Sequence, residues 1–157
     1  MQIAMFDSLM RVLIAAGLSA AIGLEREYHQ KPAGLRTNML IGIGAAVFMI
    51  LSLAAAGPGS ADRIAAQIVT GIGFLGAGAI LHSGESVHGL TTAATIWVNA
   101  AIGMAAGAGM TSVALGTAIL TLLVLAALPP VESFFEKWAH KRALHPRSTH
   151  ATKRQQE

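Results

Sequence analysis

Long apolar stretches separated by short polar segments occupy most of this chain. Five apolar blocks can be recognised, at Phe6–Leu24, Asn38–Ala56, Ile64–Leu81, Thr92–Gly107 and Ser112–Leu128. Each is close to the roughly 17–25 residues that a helix needs to cross about 30 Å of hydrocarbon. Between Arg36 and Glu132 only Asp62, Arg63 and Glu85 are charged. The pattern predicts an all-α, polytopic membrane protein built as a bundle of five transmembrane helices.

Composition supports this class. Charged residues make up 12% of the 157 residues, against about 25% in an average globular protein. The mean hydropathy is +0.58. A chain of this length forms one domain. It contains no cysteine, which excludes disulfides and thiolate metal sites.

The distribution of lysine and arginine predicts the orientation. Arg26, Lys31 and Arg36 follow the first block, and a second basic cluster follows the last block. Positive charge concentrates on the cytoplasmic side of a membrane protein, so both segments are expected to be cytoplasmic and to contact anionic headgroups. Four spans separate them, an even number, which places the N-terminus outside. No nucleic-acid partner is implied.

The chain is expected to divide into three segments. Residues 1–130 form the transmembrane domain, and Pro129-Pro130 is expected to end its last helix. Residues 131–144 then predict a short amphipathic helix in the interface plane, because Phe134 and Trp138 alternate with basic residues. Residues 145–157 are polar without apolar periodicity, which predicts a disordered tail.

Small residues are abundant within the apolar blocks, and we expect them to mediate helix packing. In lipid, helices associate through small residues that permit close backbone approach. The positions singled out for this role are Gly71, Gly73, Gly76, Gly78, Gly103 and Gly107. Residues 71–76 also match the dinucleotide pattern G-x-G-x-x-G. They lack the strand–turn–helix context, however, and no G-x-x-x-x-G-K-[ST] loop is present.

Uncharged polar residues inside the spans are the main candidates for function. They are Gln67, Thr70, Thr91, Thr92, Thr95 and Asn99. Thr91, Thr95 and Asn99 are spaced four apart and fall on one helical stripe. Gln67 and Asn99 are expected to find partners on another helix. Hydrogen bonding between helices, a polar path through the bundle, and a docking face for another membrane protein all remain open.

Charged residues near the ends of the spans form a second group of candidates. Glu25-Arg26-Glu27 lies where the first span meets the cytosol, and Glu25 is positioned to pair with Arg36. This segment is either a solvated helix end, a structural latch or a cation-attracting site.

At the other end of the first span, Asp7 and Arg11 are four residues apart and predict an intrahelical ion pair. Asp62-Arg63 precedes the third block as a pair at the outer surface, and Asp62 is also able to cap the helix.

A metal or catalytic site is not expected. His82, Glu85 and His88 have no recognised ligand spacing and lie in a Ser-Gly loop. No nucleophile–base arrangement or carboxylate pair of the kind used in catalysis is present. The sequence therefore predicts a protein that is not an enzyme and has no cofactor.

Four ordered motifs resemble those of the MgtC/SapB family of bacterial inner-membrane proteins, and together they cover about residues 5–128. They are Gly23–Glu27, Ala33–Asn38, Arg63–Gly78 and Gly89–Thr95, the last running into Trp97 and Gly103. The resemblance implies a five-span bundle with an outward N-terminus, in which Asn38 joins the candidate residues. Thr91 stands where some members have asparagine in the motif Gly-Leu-Asn-Thr, so a role for that amide does not transfer.

The resemblance also implies a function. It suggests adaptation to low magnesium or stress, and virulence in some relatives, through an effect on another membrane protein such as the F-type ATP synthase. Members of the MgtC type carry a soluble domain after the bundle, which is expected to be absent here. We expect a regulator that uses its third and fourth helices to act on its partner, and a homo-oligomer remains open.

Two rivals to a regulator remain. One is a carrier or channel for Mg²⁺ or another cation. Magnesium usually binds carboxylates, yet none occurs between Glu27 and Asp62 or between Glu85 and Glu132. The other is a pure scaffold that would tolerate substitution of Gln67 and Asn99.

Overall fold

The fold is known from a computed structural model that describes the backbone of residues 2–55, 61–83 and 86–143, and the side chains of residues 5–54, 63–80 and 87–131. Five helices and one short hairpin occur in the order α1 Gln2–Tyr28, α2 Leu35–Ala55, α3 Ala61–Gly78, β1 Leu81–Ser83, β2 Ser86–His88, α4 Leu90–Gly107 and α5 Thr111–Ala143. Each of the five predicted apolar blocks is helical over most of its length. The helical class predicted from the sequence is therefore confirmed.

Four helices are long and apolar enough to cross a membrane, judged by length and composition. These segments are Met5–Tyr28, Leu35–Ala54, Leu90–Gly107 and Thr111–Val131. The apolar part of α3, Arg63–Gly78, is shorter. The chain is thus a polytopic helical membrane protein, and the count of five spans stays a prediction.

The segment after α3 differs from the loop that the sequence predicted. β1 and β2 pair antiparallel, with Leu81 opposite His88. The strand pairing satisfies backbone groups that a loop would leave open. Gly89 then begins α4 with φ +88°, a left-handed conformation that glycine adopts without strain. A Cβ at this position would collide with the carbonyl of Ala79.

The predicted helix end at Pro129-Pro130 is wrong. α5 continues through both prolines to Ala143. A proline removes one N–H donor and crowds the preceding turn, but a helix can accommodate it by bending. The separate interfacial helix over residues 131–144 is therefore not confirmed. The side chains after residue 131 and the predicted tail, 145–157, lie outside the described residues.

The chain divides into two compact units, Met1–Leu122 and Leu123–Glu157. The first unit contains α1 to α4 and the hairpin. Within it, α2 and α4 run parallel and in close contact, because matched residues are always 61 apart. The matched pairs are Asn38 with Asn99, Gly42 with Gly103 and Ala46 with Gly107.

The other two helices of the first unit run in the opposite direction. α1 is antiparallel to α2, because Ser19 lies against Gly42 while Gly23 lies against Leu35, near the start of α2. α3 is antiparallel to α4, since Gly76 near its end lies against Ala93 near the start of α4.

A small apolar core joins three of these helices. Ile41, Ala45, Ile96 and Ala100 form a buried cluster between α2 and α4, and Ile68 and Ile72 of α3 pack against it. Because all four central side chains are short or of medium size, the helix backbones approach closely. The bundle therefore holds its polar residues between tightly packed helices.

Candidate functional site

Two asparagines form the polar centre of the bundle. Asn99 of α4 donates from Nδ2 to the backbone carbonyl of Asn38 at 2.8 Å and to the Asn38 Oδ1 at 3.0 Å. Both side chains are completely buried. In hydrocarbon an amide without a partner is costly, so two amides that bond to each other fix which faces of α2 and α4 meet.

Asn38 is also tied to the turn before its own helix. Its Nδ2 donates to the carbonyl of Ala33 and, at 3.0 Å, to that of Gly34. Both amide hydrogens and the Oδ1 of Asn38 are thus used within the chain. The amide links the α1–α2 turn to α4 in a single network.

Close backbone contact encloses this amide pair. A Cβ at Gly103 would lie 2.5 Å from the carbonyl oxygen of Gly42, and one at Gly107 would lie 2.5 Å from that of Ala46. Atoms do not approach this closely, so these positions of α4 accept glycine alone without a shift of α2. The glycines allow the separation at which Asn99 reaches Asn38.

Two buried oxygens beside the pair have no hydrogen-bond partner within the described residues: Asn99 Oδ1 and Ser19 Oγ. Ser19 occupies the space that a side chain at Gly42 would need. Because Gly42 lies against Gly103 while Asn38 lies against Asn99, Ser19 is about one helical turn from the amide pair. The buried polar residues of α1, α2 and α4 therefore occupy two adjacent layers of the bundle.

The threonines of α4 have different environments. Thr92 and Thr95 are buried, and Thr95 Oγ1 donates to the carbonyl of Thr91 at 2.7 Å. Thr91 is exposed. The predicted stripe is therefore divided, because its Asn99 end lies in the bundle and its Thr91 end lies at the surface. The Thr95 hydroxyl bonds within its own helix.

The charged segment at the end of α1 pairs differently from the prediction. Arg26 is buried and contacts the Glu25 carboxylate at 2.5 and 2.7 Å, and His29 Nδ1 lies 3.1 Å from the same carboxylate. The predicted Glu25–Arg36 pair is wrong. Arg36 is exposed on the first turn of α2, whereas the neighbouring Arg26 reaches Glu25 without crossing the turn.

Glu27 has a separate role at this corner. Its Oε2 accepts a hydrogen bond from the backbone N–H of Leu35 at 3.0 Å, which caps the first turn of α2. A carboxylate at a helix N-terminus also interacts favourably with the helix dipole. A side chain at Gly34 would collide with this carboxylate. Glu27 thus acts as a structural latch between α1 and α2, whereas Glu25 pairs with its neighbours Arg26 and His29.

The opposite end of α1 carries a second latch. The predicted Asp7–Arg11 pair is present at 2.7 Å, and Arg11 Nη1 also donates to the carbonyl of Gly107 at 3.2 Å. This carbonyl belongs to the last turn of α4, where a positive charge is favourable. The sequence predicted the ion pair with Asp7, but nothing in it indicated the bond from Arg11 to Gly107.

The polar residues of α3 do not enter the bundle. Gln67, Thr70 and Arg63 are exposed, and Thr70 Oγ1 donates to the carbonyl of Ala66 at 3.1 Å. Gln67 makes no hydrogen bond to any residue that the structure describes, so the partner expected for it on another helix is missing. The side chains of Asp62, His82 and Glu85 lie outside the described residues.

The glycines of α3 also separate into two groups. Gly76 lies against Ala93 of α4, but Gly71, Gly73 and Gly78 have nothing within 4 Å of a would-be Cβ. The latter three therefore pack no helix in the part of the chain described, contrary to the prediction. The dinucleotide-like pattern lies inside a continuous helix, where no phosphate loop forms.

An apolar groove runs between α3 and α4. Its volume is about 230 Å³, and it is lined by Val69, Ile72, Trp97, Ala100, Ala101 and Met104. Trp97 is 52% exposed at its rim. Among the described residues, no cluster of three or more His, Asp or Glu side chains could hold a metal ion. The groove is lined by apolar side chains and Trp97, so it offers no acid–base chemistry.

The fold and the amide centre define a polytopic helical membrane protein. The MgtC family model matches residues 12–134. The chain is 51% identical over 118 residues to Protein MgtC of Salmonella typhimurium, covering 75% of this chain and 51% of that protein. It is 46% identical over 125 residues to Protein MgtC of Brucella abortus, covering 80% and 52%. The chain belongs to the MgtC family.

A further relative bears a name related to magnesium. The YhiD protein of Escherichia coli K12, named as a candidate magnesium transporter, is 50% identical over 131 residues, covering 76% of this chain and 59% of that protein. The chain spans about half the length of the curated relatives it matches. No solved structure matches it.

Proposed function

We propose that this protein is a non-enzymatic component of the bacterial inner membrane that regulates another membrane protein when magnesium is scarce. The closed packing around Asn38 and Asn99 carries this proposal. Their amide hydrogens are used inside the chain, and glycine contacts bring α4 against the α2 backbone. A bundle sealed in this way is suited to presenting a rigid outer surface.

The proposal includes five spans. α2 and α4 run parallel, so the chain must recross the bundle between them, and α3 lies antiparallel to α4. The 18 residues of α3 extend about 27 Å, the same as the 18 residues of α4. The basic α1–α2 corner then faces the cytoplasm and the N-terminus faces outward.

The surface proposed for the regulated protein is the groove between α3 and α4. Trp97 and Met104 line the groove together with Ala101, whose small side chain leaves room for a partner. In lipid, a transmembrane helix from a partner gains packing contacts in such a groove that disordered acyl chains do not provide. The F-type ATP synthase is the partner to test first, because the family resemblance points to it.

Site-specific photocrosslinking in living cells tests this surface. A photoreactive residue at Ala101 lies in the groove, whereas one at Leu13 of α1 is also exposed but lies elsewhere. We expect Ala101 to capture a specific membrane protein under magnesium limitation and Leu13 to capture none. Equal capture at both positions would remove the groove from consideration.

A functional assay must accompany the crosslinking. ATP-driven proton uptake in inverted membrane vesicles should change when the purified protein is incorporated, and Trp97→Ala should weaken the effect. Leu13→Ala serves as the matched control, since it also removes an exposed apolar side chain. Proton uptake unchanged by the protein would exclude the synthase as the regulated partner. The protein captured at Ala101 would then be the candidate partner.

A cation transporter is the second proposal, and two observations favour it. One is the name of the Escherichia coli relative. The other is that two buried oxygens, Ser19 Oγ and Asn99 Oδ1, have no hydrogen-bond partner in the described residues, and oxygens are the ligands that Mg²⁺ prefers. Magnesium flux into proteoliposomes that exceeds protein-free vesicles and disappears with Asn99→Leu would establish transport, and its absence would favour regulation.

A further inference from the structure

Gln67 lies deep in the apolar zone without a hydrogen-bond partner among the described residues. Gly76 of α3 lies beside Ala93 of α4. Gln67 is nine residues before Gly76, and Ile102 is nine residues after Ala93, so these two residues lie at about the same depth. Ile102 is completely buried near the Gly103 contact with α2. The Gln67 carboxamide is therefore exposed to hydrocarbon, where a polar group needs a partner.

Gln67 lies on a face of α3 that contains glycines and points away from the bundle. Gln67, Gly71, Phe74 and Gly78 are spaced at four, three and four residues and share one face of α3, which we call the Gln67 face. The opposite face carries Ile68, Ile72 and Gly76, which pack on the bundle. Gly71 and Gly78 leave open space, and Phe74 is 83% exposed.

We infer that the Gln67 face binds the same face of a second copy of this chain. A carboxamide has both donors and an acceptor, so two Gln67 side chains related by a two-fold axis can donate to each other. All copies insert in the same direction, which places both amides at the same depth. The Thr70 hydroxyl is already bonded to Ala66, which leaves Gln67 as the group to be satisfied.

Charge on this face is compatible with a parallel helix pair. Arg63 is the only described charged side chain on the Gln67 face. If the helices cross at Gly71, Arg63 lies eight residues away, or about 12 Å along the axis. Glycine-mediated crossings separate the helices toward their ends, at an angle of about 40°. The two guanidinium groups are then apart and close to the headgroups.

The dimer uses a surface separate from the α3–α4 groove, because Val69 and Ile72 line the groove and do not belong to the Gln67 face. The inference rests on the five-span part of the proposed function, which puts α3 in the membrane, but not on the proposed regulation of another membrane protein. A failure of the dimer therefore leaves that regulation untouched.

Disulfide crosslinking provides a clean test, because the chain contains no cysteine. Single variants Gly71→Cys and Phe74→Cys of the full chain, in vesicles of bacterial lipids, should form covalent dimers on oxidation. Ile68→Cys and Ile72→Cys are the matched controls on the other face of the same helix and should remain monomeric. Phe74→Cys guards against misfolding of the glycine variant.

A second measurement isolates the amide. Energy transfer between differently labelled copies, measured while the vesicles are diluted with lipid, gives the association constant. Gln67→Leu should lower it about three- to tenfold, the range expected for loss of interhelical hydrogen bonds in a membrane, and Gln67→Asn should retain part of it. Uniform crosslinking around α3, no dimer at any cysteine position, or an unchanged association constant for Gln67→Leu would each overturn the inference.

Discussion

Replacement of Asn99 by alanine should destabilise the bundle through a specific coupling to Asn38. The change removes two hydrogen bonds and leaves the Asn38 Oδ1 without a donor in a completely buried site. Each bond contributes about 0.5–1.5 kcal/mol, and an unsatisfied buried acceptor costs about 1–3 kcal/mol. Bonds between membrane helices average only about 0.6 kcal/mol.

An offsetting contribution must be included in the estimate. The Asn99 Oδ1 has no partner in the described residues, and its removal relieves that cost. The net loss expected for Asn99→Ala is therefore about 2 kcal/mol, toward the lower part of the summed range. The coupling energy with Asn38→Ala should be about 1 kcal/mol, because each single variant already loses the bond between the two side chains, whereas the bond to the Asn38 backbone carbonyl is lost only with Asn99.

Reversible unfolding in mixed detergent micelles, followed by tryptophan fluorescence, measures these energies. The four proteins of the cycle are the unmodified chain, both single variants and the double variant. Thr70→Ala is the control, because it removes only a bond within an exposed helix and should cost less than about 0.5 kcal/mol. Additivity of the two asparagine changes within about 0.3 kcal/mol would refute the reasoning.

Three further predictions concern the helix contacts and the two latches, each measured by thermal unfolding in the same micelles. Gly103→Ala should destabilise the protein by about 1–3 kcal/mol, because the added Cβ would meet the backbone of α2. Gly116→Ala is the control and should be neutral or stabilising, because a Cβ there would enter open space. Equal effects of the two substitutions would contradict the close-contact argument. Arg11→Met should cost about 1 kcal/mol by removing the bond to the end of α4 and the ion pair, and a loss that vanishes in high salt would assign it to the ion pair alone. Glu27→Gln should cost about 0.5–1 kcal/mol by weakening the cap at α2, whereas Glu27→Asp with full stability would argue against a cap of this geometry.

The contacts of Arg11 and Glu27 give a structural reason for two of the few charged residues in this chain. Arg11 and Glu27 each bind a backbone group at the end of a neighbouring helix. Helix ends leave several backbone groups without partners, and these are especially costly near hydrocarbon. Charges near the ends of α1 therefore stabilise the packing of the bundle directly.

The helical class and the approximate positions of the helices were predictable because they depend on local sequence. An apolar run of about 17 residues or more allows few structures other than a helix, since every backbone group must be satisfied within the segment. The Asp7–Arg11 pair was predictable for the same reason, because a spacing of four residues fixes its geometry within one helix. The continuation of α5 through Pro129 and Pro130 shows that local rules also fail, because a helix can accommodate a proline without ending there.

The sequence by itself determined the class of protein, the positions of five helices and the set of polar residues within them. It did not determine which of those residues meet. Gln67 and Asn99 look alike in sequence, as single amides in apolar segments, yet Asn99 is buried against Asn38 and Gln67 faces outward. That difference depends on the rotation and register of the helices. Contacts between residues 61 positions apart set those of α4 against α2, and Ile68, Ile72 and Gly76 set those of α3 against the bundle. Because such contacts arise only when the helices pack, tertiary structure alone decided them.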